Sequence, residues 1–269
     1  MKAHIGDIDI YYEITGQGPW VTLSHSLAAD GGMWAPQVEA LSAHFTVLNV
    51  DTRGHGQSDA PAGPYSLEQL ADDVHGLLAH LGVTRSHWLG LSMGGMIGQV
   101  LALRHPEVLD RVVLADTTGQ GAPNAAQRWG ERVQAARASG MAALVEPTLA
   151  RWFTTPFRLR EAALMQQIGN MIAHTPLEGY AGCCAAIAGV STLDRLHCLG
   201  HPALVLVGDQ DQGTPPAMAQ RLADHWPGAR CVVLPDAAHL ANLEQAQAFN
   251  REVLGFLQAA SASSTASAA

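Results

Sequence analysis

The sequence predicts an α/β protein: a mostly parallel, twisted sheet flanked by helices, with a helical cap inserted after the sixth strand. Two observations indicate this class. Short apolar runs without a polar face alternate with segments of helical periodicity, which is the pattern of parallel strands covered by helices. The alternation stops after Asp116 and resumes at Ala203, and residues 118–196 hold helical segments but no convincing strand. An inserted helical segment explains both observations.

Local composition places the strands. Ile5, Ile8, Ile10 and Tyr12 begin an antiparallel meander, with turns expected at 6–7 and 16–18 because glycine occurs there. Six apolar runs predict the remaining strands: WVTLSH (20–25), FTVLNVD (45–51), HWLGLS (87–92), RVVLAD (111–116), ALVLVG (203–208) and CVVLPD (231–236).

The clearest helix has recognisable ends. Ser66 is predicted as its N-cap and Gly82 as its stop, with leucine and valine recurring on one stripe between them. We expect a core formed by residues 1–117 and 197–260 and a cap formed by residues 118–196. The low-complexity segment 261–269 is expected to be a disordered tail.

Composition argues against several classes of protein. A net charge of -9 does not suit a nucleic-acid binder, and no apolar run is long enough to span a bilayer. Cys183, Cys184, Cys198 and Cys231 show neither CxxC pairing nor the spacing of metal ligands. We therefore expect reduced thiols in a cytoplasmic protein that uses no metal and no organic cofactor. The composition is compatible with either a monomer or a homo-oligomer.

The segment HWLGLSMGG (87–95) places one hydroxyl among three glycines, between a predicted strand and a predicted helix. Gly90, Ser92 and Gly94 fit G-x-S-x-G, the nucleophile elbow, in which glycines permit a tight turn and the serine projects from the sheet. The alternative is a glycine-rich βα turn in which Ser92 is an ordinary helix cap.

A serine nucleophile needs a base, and the base needs a carboxylate that orients it. His239 follows the last predicted strand and is the candidate base. Asp211 is the candidate acid, because GDQDQGTP (208–215) has the spacing expected of an acid loop. Asp209, nearer the strand, and Asp116, at the end of the strand before the insertion, are the alternatives.

Along almost its whole length the chain resembles the α/β-hydrolases. DTRGHGQSD (51–59) is similar to their D-x-R-G-x-G-x-S segment, which is structural, so His55 is expected to belong to loop architecture. The segment HSL (25–27) occupies the place of their H-G-x loop, with serine where glycine is usual. The resemblance implies an oxyanion hole formed by the backbone N–H groups of Leu27 and Met93.

Within that superfamily the chain is most similar to 3-oxoadipate enol-lactonases. Four segments carry this resemblance: SLAADGGMWAPQ (26–37), DTRGHGQSDAPAGPYSLEQL (51–70), GMAALVEPTLARWFT (140–154) and HTPLEGYAGCCAAI (174–187). His25 stands where those enzymes often have asparagine. The resemblance implies hydrolysis of a small ester or lactone by a Ser-His-Asp triad through an acyl-enzyme.

Other proteins use the same framework. A haloalkane dehalogenase is excluded because Ser92 stands where its aspartate would be. A meta-cleavage C–C hydrolase is disfavoured because Leu240, not tryptophan, follows His239. A binding protein would lack a triad member, and here each member has a candidate. A broad carboxylesterase or arylesterase, or a perhydrolase-like enzyme, needs only the same triad and is the alternative.

The cap carries the residues expected to bind substrate. It holds seven arginines and five acidic residues, whereas the rest of the chain has eight basic and nineteen acidic residues. Arg128 with Trp129, and Arg151 with Trp152, each set a cation beside an aromatic ring, and Tyr180 is a further candidate, so we expect an anionic substrate. The alternative is that the arginines face water or pair with acidic neighbours while the aromatic residues hold the cap together.

Overall fold

The computed structural model describes residues 1–259. Within this range the chain forms one sheet of eight strands in the order β1-β2-β4-β3-β5-β6-β7-β8. The strands are β1 (Lys2–Ile5), β2 (Ile8–Thr15), β3 (Trp20–Ser24), β4 (Thr46–Val50), β5 (Ser86–Leu91), β6 (Leu109–Ala115), β7 (Ala203–Gly208) and β8 (Arg230–Leu234). β3 to β8 all run parallel to their neighbours in this order, apart from the antiparallel pairing of β4 with β2, so the predicted class is confirmed. The expected tail, 261–269, lies outside the described residues.

The predicted meander is wrong at its second turn. β1 and β2 form the expected hairpin, but β2 then pairs antiparallel with β4 rather than with β3. β3 lies further inside the sheet, parallel to β4 and β5, because all but one of its residues are buried and an apolar strand requires neighbours on both sides. The glycine turn therefore leads into a crossover.

Eleven α-helices accompany the strands in the described part of the chain. They are α1 (Ala35–Ser42), α2 (Leu67–His80), α3 (Met93–Arg104), α4 (Ala125–Ser139), α5 (Val145–Trp152), α6 (Thr155–Arg160), α7 (Ala162–His174), α8 (Leu177–Ala188), α9 (Pro216–His225), α10 (Ala241–Glu244) and α11 (Ala246–Gln258). None of the helices within residues 1–259 combines the length and apolarity needed to cross a membrane.

The helix predicted from its ends is α2. The Ser66 side chain accepts a hydrogen bond from the Gln69 N–H at its start, and Gly82 follows its end with φ +68°, a conformation that glycine adopts without strain. Its apolar stripe packs on α3, which is itself almost entirely buried beside β5. This layer supports the turn that carries Ser92.

The helical cap, α4 to α8, follows β6, as predicted. The chain enters and leaves it side by side: Gln120 and Ser191 form an antiparallel bridge, and the Gly121 N–H donates to the Val190 carbonyl. Inside the cap α4 packs against α8 and α5 against α7. The two segments that connect the cap to the sheet are therefore hydrogen-bonded to each other, next to the ends of the parallel strands.

Candidate active site

Ser92 lies at the turn between β5 and α3 with φ 55° and ψ -110°, a conformation that is strained for a residue with a side chain. The two glycines of the motif are required by close packing. A Cβ on Gly90 would collide with the Gly94 carbonyl, and a Cβ on Gly94 would collide with the Ser24 carbonyl of β3. The glycines thus allow the elbow to sit against the neighbouring strand.

Two hydrogen bonds fix the elbow to the end of β6 and to Thr117, which follows that strand. The Ser92 N–H donates to the Ala115 carbonyl (2.8 Å), and the Ser92 carbonyl accepts from Thr117 Oγ1 (2.7 Å). No hydrogen bond from Ser92 Oγ is found within residues 1–259, and the residue lines a cavity beneath the cap. The hydroxyl is therefore held at the cavity without a partner of its own.

His239 and Asp211 form a buried pair. Their Nδ1 and Oδ2 atoms are 2.7 Å apart, and the aspartate side chain is inaccessible to solvent. Asp211 also accepts from the Gly213 and Thr214 N–H groups and from Thr214 Oγ1. Burial alone would raise the pKa of Asp211, but His239 and these donors lower it to about 2. An ionised Asp211 keeps the proton on Nδ1, which leaves the lone pair on Nε2 of His239 free to accept a hydrogen bond or a proton.

The two alternative aspartates have other partners. Asp209 is exposed, and its Oδ1 accepts from the Ala237 N–H (3.2 Å), which joins the two loops. Asp116 is fully buried, and its Oδ1 accepts from the Gly208 N–H (2.9 Å). Burial and the nearby charge of Asp211 raise the pKa of Asp116 well above its usual range. Of the three candidates, Asp211 is the one bonded to His239.

The predicted oxyanion loop meets the elbow directly, since the Gly94 N–H donates to the His25 carbonyl (3.2 Å). Leu27 lies in this loop and Met93 is the first residue of α3, where a helical N–H has no intrahelical acceptor. Neither N–H finds an acceptor among the described residues. Ala28, next to Leu27, has φ 61°, so the loop, like the elbow, is held in a strained conformation.

Two buried histidines hold this loop in place. His25 Nε2 accepts from the Thr52 N–H (2.9 Å), and its Nδ1 donates to the Ser26 carbonyl (2.7 Å). His55 Nε2 accepts from the Ala28 N–H (3.0 Å). Burial and the proximity of His25 lower the pKa of His55 to about 3, so its ring remains a neutral acceptor. His55 is thus structural, as expected, while the bonds of His25 could not be read from the sequence.

The cavity brings the cap residues to Ser92. It has a volume of about 170 Å³, and Ser92, His239 and Leu27 line it together with the cap. All five cap residues singled out in the sequence line it: Arg128, Trp129, Arg151, Trp152 and Tyr180. The neighbouring Phe153 is not part of the cavity lining and stacks instead on Phe157 (5.6 Å between ring centroids).

The cavity wall is cationic. Arg128, Arg132 and Arg151 line it, no acidic side chain of the described residues does, and none of the three arginines forms an ion pair within that part of the chain. Arg132 lies 4.6 Å from the ring centroid of Trp129, and Arg151 donates to Thr148 Oγ1 (3.0 Å). Desolvation and the charge of Arg132 lower the pKa of Arg151.

Sequence reasoning missed Arg132, although a signal was present. Arg128 and Arg132 are four residues apart on α4, so their side chains lie on the same face of the helix. If one of them lines the cavity, the other is expected to line it too. The loop spacing includes Thr214 but does not show that its hydroxyl donates to Asp211.

One histidine cluster lies outside the cavity. His75 Nε2 and His105 Nδ1 are each 4.0 Å from Glu107 Oε1. The sequence does not show this cluster, because His75 lies thirty residues before His105. The two rings are stacked at 3.8 Å with 5° between their planes. A metal ion binds an imidazole in the plane of its ring, and parallel planes share no point, so this arrangement does not converge on one ion.

Comparison with known proteins identifies the family to which this fold belongs. Residues 19–246 match the family model described as the alpha/beta hydrolase fold. The chain belongs to the α/β-hydrolase family. This α/β-hydrolase is 36% identical to the 3-oxoadipate enol-lactonase 2 of Acinetobacter baylyi over 92% of each chain. It is 43% identical to the enol-lactonase of Burkholderia xenovorans LB400, whose crystal structure it matches with a TM-score of 0.92 over 96% of this chain and 99% of that one.

A second group of relatives carries a different name. A protein of Azorhizobium caulinodans named as the carbamate hydrolase RutD is 30% identical over 94% of this chain and 97% of its own. All of these relatives are named as hydrolases, and the α/β-hydrolase described here is a hydrolase.

We expect Gly94→Ala to lower the free energy of unfolding by about 1–3 kcal/mol and to abolish activity, because the new methyl group displaces the elbow from β3. Gly130→Ala is the matched control: it lies within α4 with open space around its Cα, and we expect it to raise the free energy of unfolding by about 0.5–1 kcal/mol. Urea denaturation measures both. A Gly94→Ala protein as stable and active as the parent would contradict the packing argument.

Proposed function

We propose that the chain hydrolyses small carboxylic esters and lactones through a triad of Ser92, His239 and Asp211, and that its substrate is an enol-lactone of the 3-oxoadipate type. The observation that carries the proposal is the buried Asp211–His239 pair at the cavity where Ser92 projects without a hydrogen-bond partner. The enol-lactonase names of the relatives support the substrate class.

The reaction begins when Ser92 Oγ attacks the acyl carbon and His239 Nε2 takes its proton. The imidazolium that forms is stabilised by Asp211, which its hydrogen bonds keep ionised. His239 then gives the proton to the leaving oxygen as the acyl–oxygen bond breaks. Water, deprotonated by the same nitrogen, releases the acid and restores Ser92.

The negative charge of each tetrahedral intermediate needs two donors. The N–H groups of Leu27 and Met93 are suited to this role because no other described group occupies them, Met93 directly follows Ser92, and Leu27 lines the same cavity as Ser92. Each such donor contributes about a hundredfold or more in rate when its position is fixed beforehand. The bonds from His25 and His55 to the loop supply that fixed position.

The wall of unpaired arginines supports an anionic substrate. Arg132 and Arg151 are the better candidates for holding a carboxylate, because each is fixed by a neighbour, Trp129 or Thr148, while its charge remains unpaired. Arg128 is exposed on the same helix and is suited to drawing an anion towards the cavity. An enol-lactone with a free carboxylate matches this wall.

The proposal includes the division into a core of residues 1–117 and 197–260 and a cap of residues 118–196, which the bridge between Gln120 and Ser191 supports. It also includes the cytoplasm as the compartment, which the four free cysteines support.

Ser92→Ala and His239→Ala should each lower kcat on an aryl ester by at least about a thousandfold, because one removes the nucleophile and the other the base. Circular dichroism should show an unchanged fold. Ser139→Ala and His44→Ala, on the exposed surface, are the matched controls and should keep full activity. Full turnover by either triad variant would refute the proposed mechanism.

Three asparagine variants identify the acid. Asp211→Asn should lower kcat about 10³–10⁴-fold, because an amide cannot hold the proton on Nδ1 of His239. Asp209→Asn and Asp116→Asn should stay within about threefold of the parent, because neither carboxyl bonds His239. The assignment fails if Asp116→Asn loses activity while Asp211→Asn keeps it.

The substrate charge is tested by comparing a small anionic lactone with its neutral methyl ester. Arg132→Gln and Arg151→Gln should each lower kcat/KM for the anion about tenfold and leave the ester within about twofold. Arg137→Gln, on α4 but paired with Glu178, is the matched control. If the parent prefers neutral aryl esters at every salt concentration, it is a broad esterase instead.

A further inference from the structure

Glu244, at the end of α10, is a buried carboxylate with three hydrogen-bond donors. Its Oε1 accepts from the Thr154 N–H (2.9 Å) and from Thr154 Oγ1 (2.7 Å), and its Oε2 accepts from the Ala238 N–H. The residue is 8% exposed, and Thr154 belongs to the cap. A cap residue and a core loop are therefore joined through one side chain.

Ala238 is the residue directly before His239. On the other side of His239, the Leu240 N–H donates to the carbonyl of Trp152 (3.0 Å). Both neighbours of the histidine are thus tied to the same short turn of the cap, residues 152–154, where α5 ends and α6 begins. Trp152 also lines the cavity.

We propose that Glu244 is a positioning residue that fixes His239 by fastening its loop to the cap. The inference rests on the proposed role of His239 as the base. Loops after strands are mobile unless their backbone groups are bonded, and an error of about 1 Å in a catalytic group costs about a hundredfold in rate. Glu244 occupies the Ala238 N–H, and the cap turn occupies the Leu240 N–H.

The chemistry of the site requires a carboxylate. All three partners of Glu244 are donors, and a carboxylate offers acceptors on both oxygens. A glutamine would accept at one atom only and would direct its NH₂ group at another N–H. The isosteric change Glu244→Gln therefore breaks one end of the connection while it keeps the volume of the side chain.

A consequence concerns the cap. Because residues 152–154 hold the loop of His239 and Trp152 also lines the cavity, the cap supports the proposed base and is not only a cover over the substrate. Weakening the connection should slow chemistry without altering the groups that contact substrate. The expected signature is a loss in kcat with KM preserved.

The test is the kinetics of Glu244→Gln in the full chain, with kcat taken per active site after titration with a phosphonate ester. We expect kcat to fall about tenfold or more while KM stays within about twofold. Glu146→Gln, an exposed cap glutamate, is the matched control and should equal the parent. A merely structural Glu244 would lower the melting temperature but leave kcat per titrated site unchanged, and that result overturns the proposal.

His239→Ala is measured in parallel. If it is inactive while Glu244→Gln equals the parent, the positioning role alone fails; if it is fully active, the proposed function fails first. Should Glu244→Gln not fold, Thr154→Val replaces it, since this change removes only the donor Oγ1. We expect Thr154→Val to lower kcat at constant KM as well, and a parental kcat in that variant overturns the proposal.

Discussion

The geometry of the site depends on one close approach of backbone to backbone, that of Gly94 to the end of β3. It is close enough to exclude a side chain at position 94, and it brings the elbow of Ser92 against the loop that carries Leu27. The proposed nucleophile and the two N–H groups proposed to stabilise its intermediate are therefore positioned by the same contact. The strained φ values of Ser92 and Ala28 on either side of it are the energetic cost of that arrangement.

Three buried carboxyl groups, Asp116 after β6, Asp211 after β7 and Glu244 at the end of α10, show how environment separates similar side chains. Asp211 has four donors, one of them His239, and its pKa falls to about 2. Asp116 has Gly208 as a donor and lies near Asp211, so its pKa rises. Glu244 receives its donors from the cap and the histidine loop. Asp211 bonds the proposed base, the pKa of Asp116 is raised, and Glu244 connects two parts of the chain.

Much of the fold was predictable because its signals are local. The apolar runs of β5 and β7, the cap of α2 at Ser66 and the glycines around Ser92 each depend on neighbours in the sequence. The order of β2, β3 and β4 in the sheet was not predictable from the sequence, because the pairing of strands depends on which strand can be buried between two others. The candidate triad was accessible from loop positions. Arg132 and Glu244 were not identified, because their importance comes from partners far away in the sequence.

The central claim is that Ser92 forms a covalent intermediate, and trapping that intermediate tests it most directly. The protein would be incubated with an aryl phosphonate ester, and the released phenol counted while the modified peptide is identified by mass spectrometry. The account predicts one phenol released per chain and a single adduct, on the peptide that contains Ser92. Release without an adduct at Ser92, or a chain that remains unlabelled while it still hydrolyses esters, would contradict it.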